Sequence, residues 1–389
     1  EMSDTGMPSA SNEQTHPSPA SDALVVGGGL AGSTAAAVLA RAGMRVALFD
    51  AAGAHRGHLA AALTPVISSD DNVRSKLSRL GARLAGEFWE AVAGEVAGEV
   101  ARPCGAIQLQ RPEGAKRAPD LKSQAQAFAQ PEWARWVEPD EASALAGLPL
   151  PRGGIWYPGG WLVRVPELIT TLQSTAHVNV HQQAVERIES TDAGWLAFDL
   201  NGAVIGQAKV VVLTNAFDVL GLLQRSQLND TLAACDRLPE MHRLAGEVTA
   251  LPAASLGGGP KCIVGGDGYV LPSVDGWCVS GGTYVRHASQ AMVSDDGREA
   301  NIQRARDLLG MDVNLPTSTS LPGWAGWRAV LPGRLPAIGA LPNATGLWVS
   351  SAGASRGLTW SVLGAQLIRD QIGGEYGNWP AEIRHVIRP

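Results

Sequence analysis

The sequence predicts an α/β protein in which a parallel-sheet lobe and an antiparallel-sheet lobe are interleaved along the chain. A strand–glycine–helix–strand unit occupies residues 23–50. Residues 243–287 alternate β-type residues with glycines and turns, which is typical of an antiparallel sheet. A second strand–glycine–helix unit closes the chain over residues 347–372. Because the two similar units flank the antiparallel region, we expect interleaved lobes rather than two sequential domains.

The opening unit has the periodicity of a βαβ fold. Ala23-Leu24-Val25-Val26 is a short apolar run that predicts a buried strand. The Ala-rich residues 33–42 predict a helix, and residues 44–49 predict the second strand. Together they make a unit of roughly 30 residues, the usual size of a βαβ motif.

The loop between the first strand and the helix carries the dinucleotide motif Gly27-x-Gly29-x-x-Gly32. Gly27 is expected to form the tight turn, Gly29 to let backbone approach a pyrophosphate, and Gly32 to let helix and strand pack closely. Free N–H groups at the helix N-terminus then face the diphosphate. Asp50, at the end of the second strand, is placed to accept hydrogen bonds from a ribose 2′-OH, which argues against NADP. The dinucleotide contacts predicted here are Gly27, Gly29, Leu30, Ala31, Gly32 and Asp50.

Two later segments favour FAD over NAD as the dinucleotide. A buried strand at residues 208–213 runs into Thr214-Asn215-Ala216, where a flavin-binding fold often turns past the adenosine half. The strand at residues 347–350 runs into a glycine turn and a helix, whose N-terminus in flavoproteins commonly points at the flavin. We therefore expect non-covalently bound FAD. The additional predicted cofactor contacts are Val185, Asn215, Gly353, Ser355, Arg356, Gly357 and Leu358.

The chain is expected to divide into a leader and two discontinuous domains. Residues 1–21 are polar and rich in Ser and Pro, which predicts a disordered leader or linker. The FAD-binding domain is expected to comprise residues 22–84, 152–215 and 330–376, and the substrate domain residues 85–151 and 216–329.

The charge of the chain is acidic overall, with a formal net charge of −6. This balance gives no support to broad, non-specific nucleic-acid binding. Lysines and arginines are dispersed, and the densest cluster is expected to be a solvated helix face. Its members are Arg74, Lys76, Arg79 and Arg83.

The cysteine pattern and the absence of long apolar runs indicate a soluble cytoplasmic protein. Cys104, Cys235, Cys262 and Cys278 contain no C-x-x-C pair, so neither a metal site nor a disulfide framework is predicted. The sequence has no signal-peptide pattern, and no apolar run approaches the roughly 20 residues that a membrane helix needs. We expect reduced thiols, no bound metal and no membrane partner.

Five blocks of residues carry a family resemblance over nearly the whole chain after residue 22. They lie within residues 25–50, 61–71, 104–162, 267–284 and 326–358. On these blocks the chain resembles the D-amino-acid-oxidase-like flavoproteins, the family of the glycine and sarcosine oxidases. The third and fourth blocks are most similar to its MnmC-like members, whose oxidoreductase module modifies tRNA.

This resemblance implies a fold and a reaction. The fold is a Rossmann-like, glutathione-reductase-type FAD domain interleaved with an antiparallel substrate domain. The reaction removes the carboxymethyl group from 5-carboxymethylaminomethyluridine, or its 2-thio form, at the tRNA wobble position. The expected partners are tRNA and a methyltransferase domain or protein acting on the product. Two alternatives stay open: an oxidase or dehydrogenase of free glycine, sarcosine or D-amino acids, and a non-catalytic module that binds tRNA or a partner.

The substrate implied by the resemblance is an N-substituted glycine, whose carboxylate needs an anchor. An arginine suits this role because its fork binds both oxygens at once. Arg328, in Gly326-Trp327-Arg328, matches the carboxylate-binding arginine of the family, and the alternative is a structural salt bridge. Arg356, at the start of the closing helix, is the second candidate. Arg334 is expected to be structural or to face tRNA.

Aromatic and histidine side chains complete the candidate site. Tyr157 and Trp161 flank Pro158-Gly159-Gly160 and either stack on the uridine base or belong to the core. Tyr269 and Tyr284 have the same two interpretations. His58 is a packing residue, a general base or a covalent flavin attachment. The predicted catalytic residues are Arg328, Arg356 and Tyr157.

Overall fold

Most of the chain is placed in the structure, a computed structural model that describes residues 21–51, 53, 55–94, 97–112, 119–311 and 318–389. The expected leader lies outside the described residues, apart from Ser21. The strands in chain order are β1 (Ala23–Val26), β2 (Val46–Phe49), β3 (Ala61–Leu63), β4 (Ala101–Pro103), β5 (Ala106–Leu109), β6 (Arg135–Val137), β7 (Gly154–Tyr157), β8 (Trp161–Val163), β9 (Val178–His181), β10 (Arg187–Thr191), β11 (Gly194–Phe198), β12 (Val204–Ala208), β13 (Val210–Leu213), β14 (His242–Pro252), β15 (Ile263–Gly266), β16 (Gly268–Val270), β17 (Trp277–Gly281), β18 (Gly323–Val330), β19 (Ala337–Ala340) and β20 (Leu347–Ser351). The helices are α1 (Leu30–Arg41), α2 (Val73–Ala93), α3 (Ala97–Val100), α4 (Leu121–Phe128), α5 (Pro139–Ala146), α6 (Val165–Gln173), α7 (Val219–Arg225), α8 (Asn229–Ala233), α9 (Asp295–Leu309), α10 (Gly357–Ile372) and α11 (Ala381–Ile387).

A six-stranded sheet in the order β19-β20-β13-β1-β2-β9 joins the opening and closing units. β1 pairs in parallel with β2 and β13, and β13 pairs in parallel with β20. β1, β2 and β13 are buried along their whole length, as expected for parallel strands covered on both faces. Because strands from both ends of the chain share this sheet, the predicted interleaved α/β fold is confirmed.

Two layers cover the six-stranded sheet. α1, α6 and α10 pack against one face, in an apolar cluster that includes Val25, Leu168 and Leu363. The other face is covered by α7 and by the three-stranded sheet β10-β11-β12, which contributes Trp195 to a second cluster. The Thr214 N–H donates to the Val26 carbonyl at 2.9 Å, so the segments after β13 and β1 leave the sheet side by side.

The second large sheet has eight strands in the order β18-β14-β17-β16-β15-β5-β7-β6. Neighbouring strands are antiparallel except for β5 and β15, which are parallel. α9 packs on one face through Ile302 and Leu308. The opposite face carries Val248 and Tyr269 and is packed against the segment around Ala60, which follows the end of β2. This second face is therefore packed against the segment that leads from β2 to β3.

The sequence also predicts helices over residues 73–100 and 162–175 and a short strand over residues 184–188, and all three have different boundaries in the structure. The predicted helix at residues 162–175 is wrong at its start, because Trp161–Val163 pair with β3 and β4 as a strand. The helix expected over residues 73–100 ends at Ala93, where Gly94 takes a φ of +51°. The strand expected at residues 184–188 begins only at Arg187.

The domain boundaries remain a prediction, although one strand bears on them. β7 falls in the expected FAD-binding segment 152–215, but it pairs with β5 and β6 of the eight-stranded sheet. That boundary is therefore better placed after Tyr157. Among the described residues, no helix combines the length and the apolar composition that a membrane crossing requires.

Candidate active site

The glycine loop lies where β1 ends and α1 begins. Gly27 has a φ of +104°, which favours glycine, and a Cβ there would lie 2.8 Å from the Asn215 backbone. A Cβ on Gly32 would overlap the Gly27 carbonyl oxygen, so α1 approaches β1 this closely only with glycine. Gly29 is the N-cap of α1, and no side chain caps this helix end. The first N–H groups of α1 are therefore available to a ligand. The predicted contacts Leu30 and Ala31 form the first turn of α1.

Asp50 lies directly beside this loop, at the end of β2. A Cβ on Gly28 would overlap the Asp50 side chain, which shows how closely the carboxyl group approaches the loop. Asp50 Oδ1 also accepts a hydrogen bond from the Gly53 N–H at 3.3 Å. The position agrees with the expected ribose contact, and the contact itself stays a prediction.

A second turn closes the same edge of the sheet. Ser351 Oγ donates to the Ala216 carbonyl at 2.9 Å, which joins the closing unit to the segment after β13. α10 begins at Gly357, and its N-cap, Arg356, makes no side-chain capping bond. A Cβ on Gly357 would lie 3.8 Å from Leu30 Cδ2, so the N-termini of α1 and α10 are neighbours. Of the other predicted contacts, Gly353 and Ser355 lie in the turn before α10, and Leu358 lies in its first turn.

The residues at this edge fit a bound FAD. Asn215 Oδ1 is buried and has no hydrogen-bond partner among the described residues, which leaves a polar atom beside the loop for a ligand. Two adjacent helix N-termini supply N–H donors and positive dipole ends to phosphates. Val185 differs, because it is buried in the apolar cluster that contains Leu24 and Phe49. Its contact with the cofactor stays a prediction.

Arg356 connects the closing helix to the segment after β3. Its Nη1 donates to the Thr64 carbonyl at 2.9 Å. Burial, together with the nearby charge of Arg74, lowers the pKa of Arg356 to about 10, while Tyr157 and Tyr284 act in the opposite direction. The guanidinium therefore stays protonated at neutral pH and lies close to both tyrosines.

Arg328 extends from β18 across β14 on the face that carries Val248 and Tyr269. Its Nη1 donates to the Thr283 carbonyl at 3.0 Å. A Cβ on Gly246 would overlap the guanidinium, so this glycine lets Arg328 lie flat on the sheet. No ion pair joins Arg328 to an acidic residue in the described part of the chain. Of the two interpretations, this arrangement favours a ligand anchor over a structural salt bridge.

Tyr284 packs against Arg328 and affects the pKa of Arg356. Its ring is 51% exposed, and its centroid lies 4.5 Å from the guanidinium carbon of Arg328. Arg334 approaches the same ring at 5.9 Å, and Arg356 is near enough for the tyrosine to raise its pKa. Tyr269 lies beside Arg328; burial raises its pKa to about 12, while the arginine acts in the opposite direction. Arg328 and Arg334 thus both approach this exposed ring, and Tyr284 contributes to the electrostatic environment of Arg356.

His58 stacks face to face on Trp324, with ring centroids 4.1 Å apart and 5° between the planes. His55 lies 5.7 Å from the same indole. The Nδ1 atoms of both histidines are buried, without a partner among the described residues. Burial lowers the pKa of His58 to about 3, and His55 and Arg328 act in the same direction. Because a general base works best with a pKa near the operating pH, the structure favours the packing role.

Tyr157 and Trp161 are core residues, so of their two interpretations the structure favours the core over stacking on a base. The Tyr157 ring is 1% exposed, and its hydroxyl donates to Gln108 Oε1 at 3.1 Å. Burial raises the pKa of Tyr157 well above its usual range. Trp161 is 8% exposed and meets Trp89 edge to face at 5.7 Å. Both rings bury their faces because β7 and β8 are interior strands whose side chains fill the core.

The basic cluster of α2 is mostly neutralised, and the expectation of a solvated face is wrong for Arg79. That side chain is buried and pairs with Asp71 at 2.6 Å. Lys76 lies 3.6 Å from Glu382, and Arg83 lies 2.9 Å from Glu87. The cluster therefore offers little free positive charge.

The cysteines offer no thiolate at neutral pH. All four are free, and burial raises the pKa of Cys104, Cys235 and Cys278 to about 11 and that of Cys262 to about 12. Over the ranges that the structure describes, no group of three or more His, Cys, Asp and Glu side chains could hold a metal ion.

Two contributors to this site were missed in the sequence. Trp324 stacks on His58, whereas the twelve tryptophans of the sequence are expected to be mostly core residues. The only local signal was Gly323, which directly precedes Trp324. Thr64 takes part through its backbone carbonyl, which accepts from Arg356. A backbone acceptor leaves no signal in residue type, so this contact could not be found in advance.

Comparison with solved structures gives the fold. The chain superposes on glycine oxidase from Geobacillus kaustophilus with a TM-score of 0.74 and 20% sequence identity. The match covers 95% of this chain and 98% of the oxidase. At this level of identity, the likeness establishes a common fold and nothing further.

Relatives in sequence are found among larger bacterial proteins. A protein of Cupriavidus necator is 32% identical over 391 residues, covering 91% of this chain and 57% of the relative. A protein of Ralstonia nicotianae is 35% identical over 399 residues, covering 92% of this chain and 58% of the relative. Both bear the name tRNA 5-methylaminomethyl-2-thiouridine biosynthesis bifunctional protein MnmC. The chain spans just over half the length of these relatives.

The family of FAD dependent oxidoreductases named DAO matches residues 22–371. The matched span includes the glycine loop, Asp50, Asn215, Arg328 and Arg356, which are the residues assembled at the edge of the two large sheets. The cofactor of the protein is therefore FAD, as predicted. The chain belongs to the DAO family of FAD dependent oxidoreductases.

Proposed function

We propose that this protein removes the carboxymethyl group from 5-carboxymethylaminomethyluridine, or its 2-thio form, at the tRNA wobble position, giving the 5-aminomethyl nucleoside. The observation that carries the proposal is Arg328, an arginine without an acidic partner among the described residues, which lies beside the exposed ring of Tyr284. Such a group suits the carboxylate of an N-substituted glycine. The names of the relatives supply tRNA and the 5-methylaminomethyl-2-thiouridine that is formed in it, and the carboxymethylaminomethyl precursor is what the family resemblance implies.

The reaction is an amine oxidation followed by hydrolysis. The neutral N–CH₂–COO⁻ unit loses a hydrogen with two electrons from carbon and a proton from nitrogen, and a C=N bond forms. Bound FAD accepts the two electrons. Water then adds to the imine carbon and the C–N bond breaks, which leaves a primary amine on the uridine and releases glyoxylate.

In this proposal Arg328 orients the substrate. The hydrogen bond from its Nη1 to the Thr283 carbonyl fixes the plane of the guanidinium, and the remaining donors bind both carboxylate oxygens. The bound carboxylate in turn fixes the position of the α-carbon. Arg356 adds a second positive charge nearby, and the two charges together favour the neutral form of the substrate amine.

A flavin-bleaching experiment separates the candidate substrates. The FAD-loaded chain is mixed without oxygen with an anticodon stem–loop that carries the carboxymethylaminomethyl group, with glycine, or with sarcosine. We expect loss of the visible flavin absorbance with the stem–loop and none with the two amino acids. Bleaching by the amino acids alone would contradict the proposal and support an oxidase of free amino acids.

Substitution of Arg328 tests its role. Arg328→Ala is expected to raise KM and to lower kcat/KM for the carboxymethylamino substrate roughly 10- to 150-fold, because hydrogen bonds to a charged group are lost. Arg328→Lys should recover only part of this, since lysine keeps the charge but lacks the fork. Arg187→Ala is the control, because Arg187 is already paired with Glu189 on a different sheet. An unchanged kcat/KM in Arg328→Ala would exclude the anchor role.

We further propose that the protein works in the cytoplasm, on tRNA, together with a methyltransferase that uses the primary amine. The support is the word bifunctional in the name of the relatives and the 57–58% of their length that this chain covers. A chemically reasonable next step for an exposed primary amine is transfer of a methyl group.

A further inference from the structure

A patch of arginine and aromatic side chains lies beside Arg328, at one end of the eight-stranded sheet. We call it the arginine–aromatic patch, and all its members are exposed. They come from β14, from residues 282–287, and from β18 with the turn that follows it. The members are Arg243, Tyr284, Arg286, Trp327 and Arg334.

Strand pairing brings these three segments side by side. Ala245 on β14 pairs with Trp327 on one side and with Val285 on the other. The centroid of the Trp327 ring lies 4.4 Å from the guanidinium carbon of Arg243. The tryptophan is 38% exposed and Val285 is 48% exposed, so this row forms an open surface.

The patch reaches the substrate anchor around the edge strand. Successive side chains of a strand point to opposite faces, so Trp327 and Arg328 lie on opposite faces of β18. On the Arg328 face, Tyr284 lies 4.5 Å from Arg328 and 5.9 Å from Arg334. β18 is the last strand of the sheet. Its edge is covered at Ala329, whose carbonyl accepts a hydrogen bond from the Ala354 N–H, while Trp327 before it is exposed.

No acidic side chain from these segments balances the patch. Residues 242–246, 282–287 and 323–334 contain no Asp or Glu. Arg243, Arg286 and Arg334 form no ion pair with any residue that the structure describes, unlike the exposed Arg135, which pairs with Glu141 at 2.6 Å. In a chain with a net charge of −6, this is a local surface of uncompensated positive charge.

We propose that the arginine–aromatic patch docks the anticodon loop of the substrate tRNA, an inference that rests on the proposed function. Unpaired RNA bases stack on aromatic rings and on guanidinium planes, and RNA phosphates attract arginine. Tyr284 and Trp327 offer the rings, and the three arginines of the patch offer the charge. Because Tyr284 touches Arg328, the wobble nucleotide reaches the anchor while its neighbours lie on the patch.

The test is binding of an anticodon stem–loop carrying 5-carboxymethylaminomethyluridine to the full FAD-loaded chain. The double variant Arg243→Ala, Trp327→Ala is expected to raise Kd by about 5- to 150-fold, the effect of losing one stacked base, and to weaken the salt dependence. Arg187→Ala is the matched control, because Arg187 lies 3.6 Å from the Phe198 ring on a separate sheet. Its Kd should equal that of the wild type.

The outcomes for docking and for chemistry are separate. A double variant that binds the stem–loop as tightly as the wild type overturns the docking surface, as does a wild type that does not bind it. If binding falls as expected but the stem–loop never bleaches the flavin of the wild type, the surface stands and the proposed reaction fails. If the double variant does not retain FAD, Arg286→Gln replaces it, with a several-fold rise in Kd expected and an unchanged Kd overturning the inference.

Discussion

Arg328 and Arg356 serve different purposes although both are arginines near one tyrosine. Arg328 has one donor committed to the Thr283 carbonyl, and its position on a strand face leaves the rest of the fork open to a carboxylate. Arg356 is anchored to the Thr64 carbonyl, and burial lowers its pKa to about 10 without removing its charge at neutral pH. One guanidinium is therefore suited to binding, and the other to setting the local potential.

His58 makes the stability of the folded chain depend on pH. Burial lowers its pKa to about 3, with His55 and Arg328 acting in the same direction, whereas an unfolded imidazole has a pKa near 6.5. Between these two values the unfolded chain binds more protons than the folded chain. The contribution of His58 to stability is thus complete above pH 6.5 and falls as the pH drops through this window.

A variant that lacks only His58 tests this dependence. His58→Phe keeps a ring stacked on Trp324 and removes the titrating group, so the fall in Tm between pH 7 and pH 5 should be smaller than in the wild type. The largest slope that one buried imidazole can add is about 1.4 kcal/mol per pH unit. His385→Phe, at an exposed position on α11, is the control and should follow the wild type. Equal slopes for His58→Phe and the wild type would contradict the assignment.

At the scale of elements, the contact between α1 and β1 determines whether FAD can bind. A Cβ on Gly32 would overlap the Gly27 carbonyl, so Gly32→Ala must push the helix N-terminus away from the loop. We expect the purified variant to lose most of its visible flavin absorbance and to have a lower Tm, since overpacking costs about 1–3 kcal/mol.

Gly377→Ala is the control for Gly32→Ala. A Cβ at Gly377 would meet no heavy atom within 4 Å, so FAD content and Tm should stay near those of the wild type. Full flavin occupancy in Gly32→Ala would show that the helix does not need this close approach.

Elements with a strong local signal were predicted well, and elements defined by distant partners were not. The helix expected at residues 357–372 has the same bounds in the structure as α10, because a glycine turn precedes it and glycines follow it. β8 was predicted as part of a helix. It is a strand because Leu162 pairs with Ala62 and Arg102, which are far away in the chain. Local residue patterns carry no information about such partners.

The whole molecule assembles its site from segments that are far apart in sequence. Arg356 contacts the Thr64 carbonyl, and Arg328 contacts the Tyr284 ring, so each of these pairs joins residues that are distant in the chain. The family resemblance identified Arg328 as a candidate, and its position at the start of the closing helix identified Arg356. The sequence could not show that Tyr284 contacts Arg328, because that contact depends on how the chain folds.

Mass spectrometry of tRNA nucleosides tests whether the wobble nucleotide of tRNA is the substrate of this protein. tRNA from cells that lack this protein should accumulate 5-carboxymethylaminomethyluridine or its 2-thio form. Wild-type protein supplied to these cells should remove the accumulated nucleoside, and Arg328→Ala should remove much less. If cells with and without the protein have the same nucleoside profile, the wobble nucleotide is not the substrate.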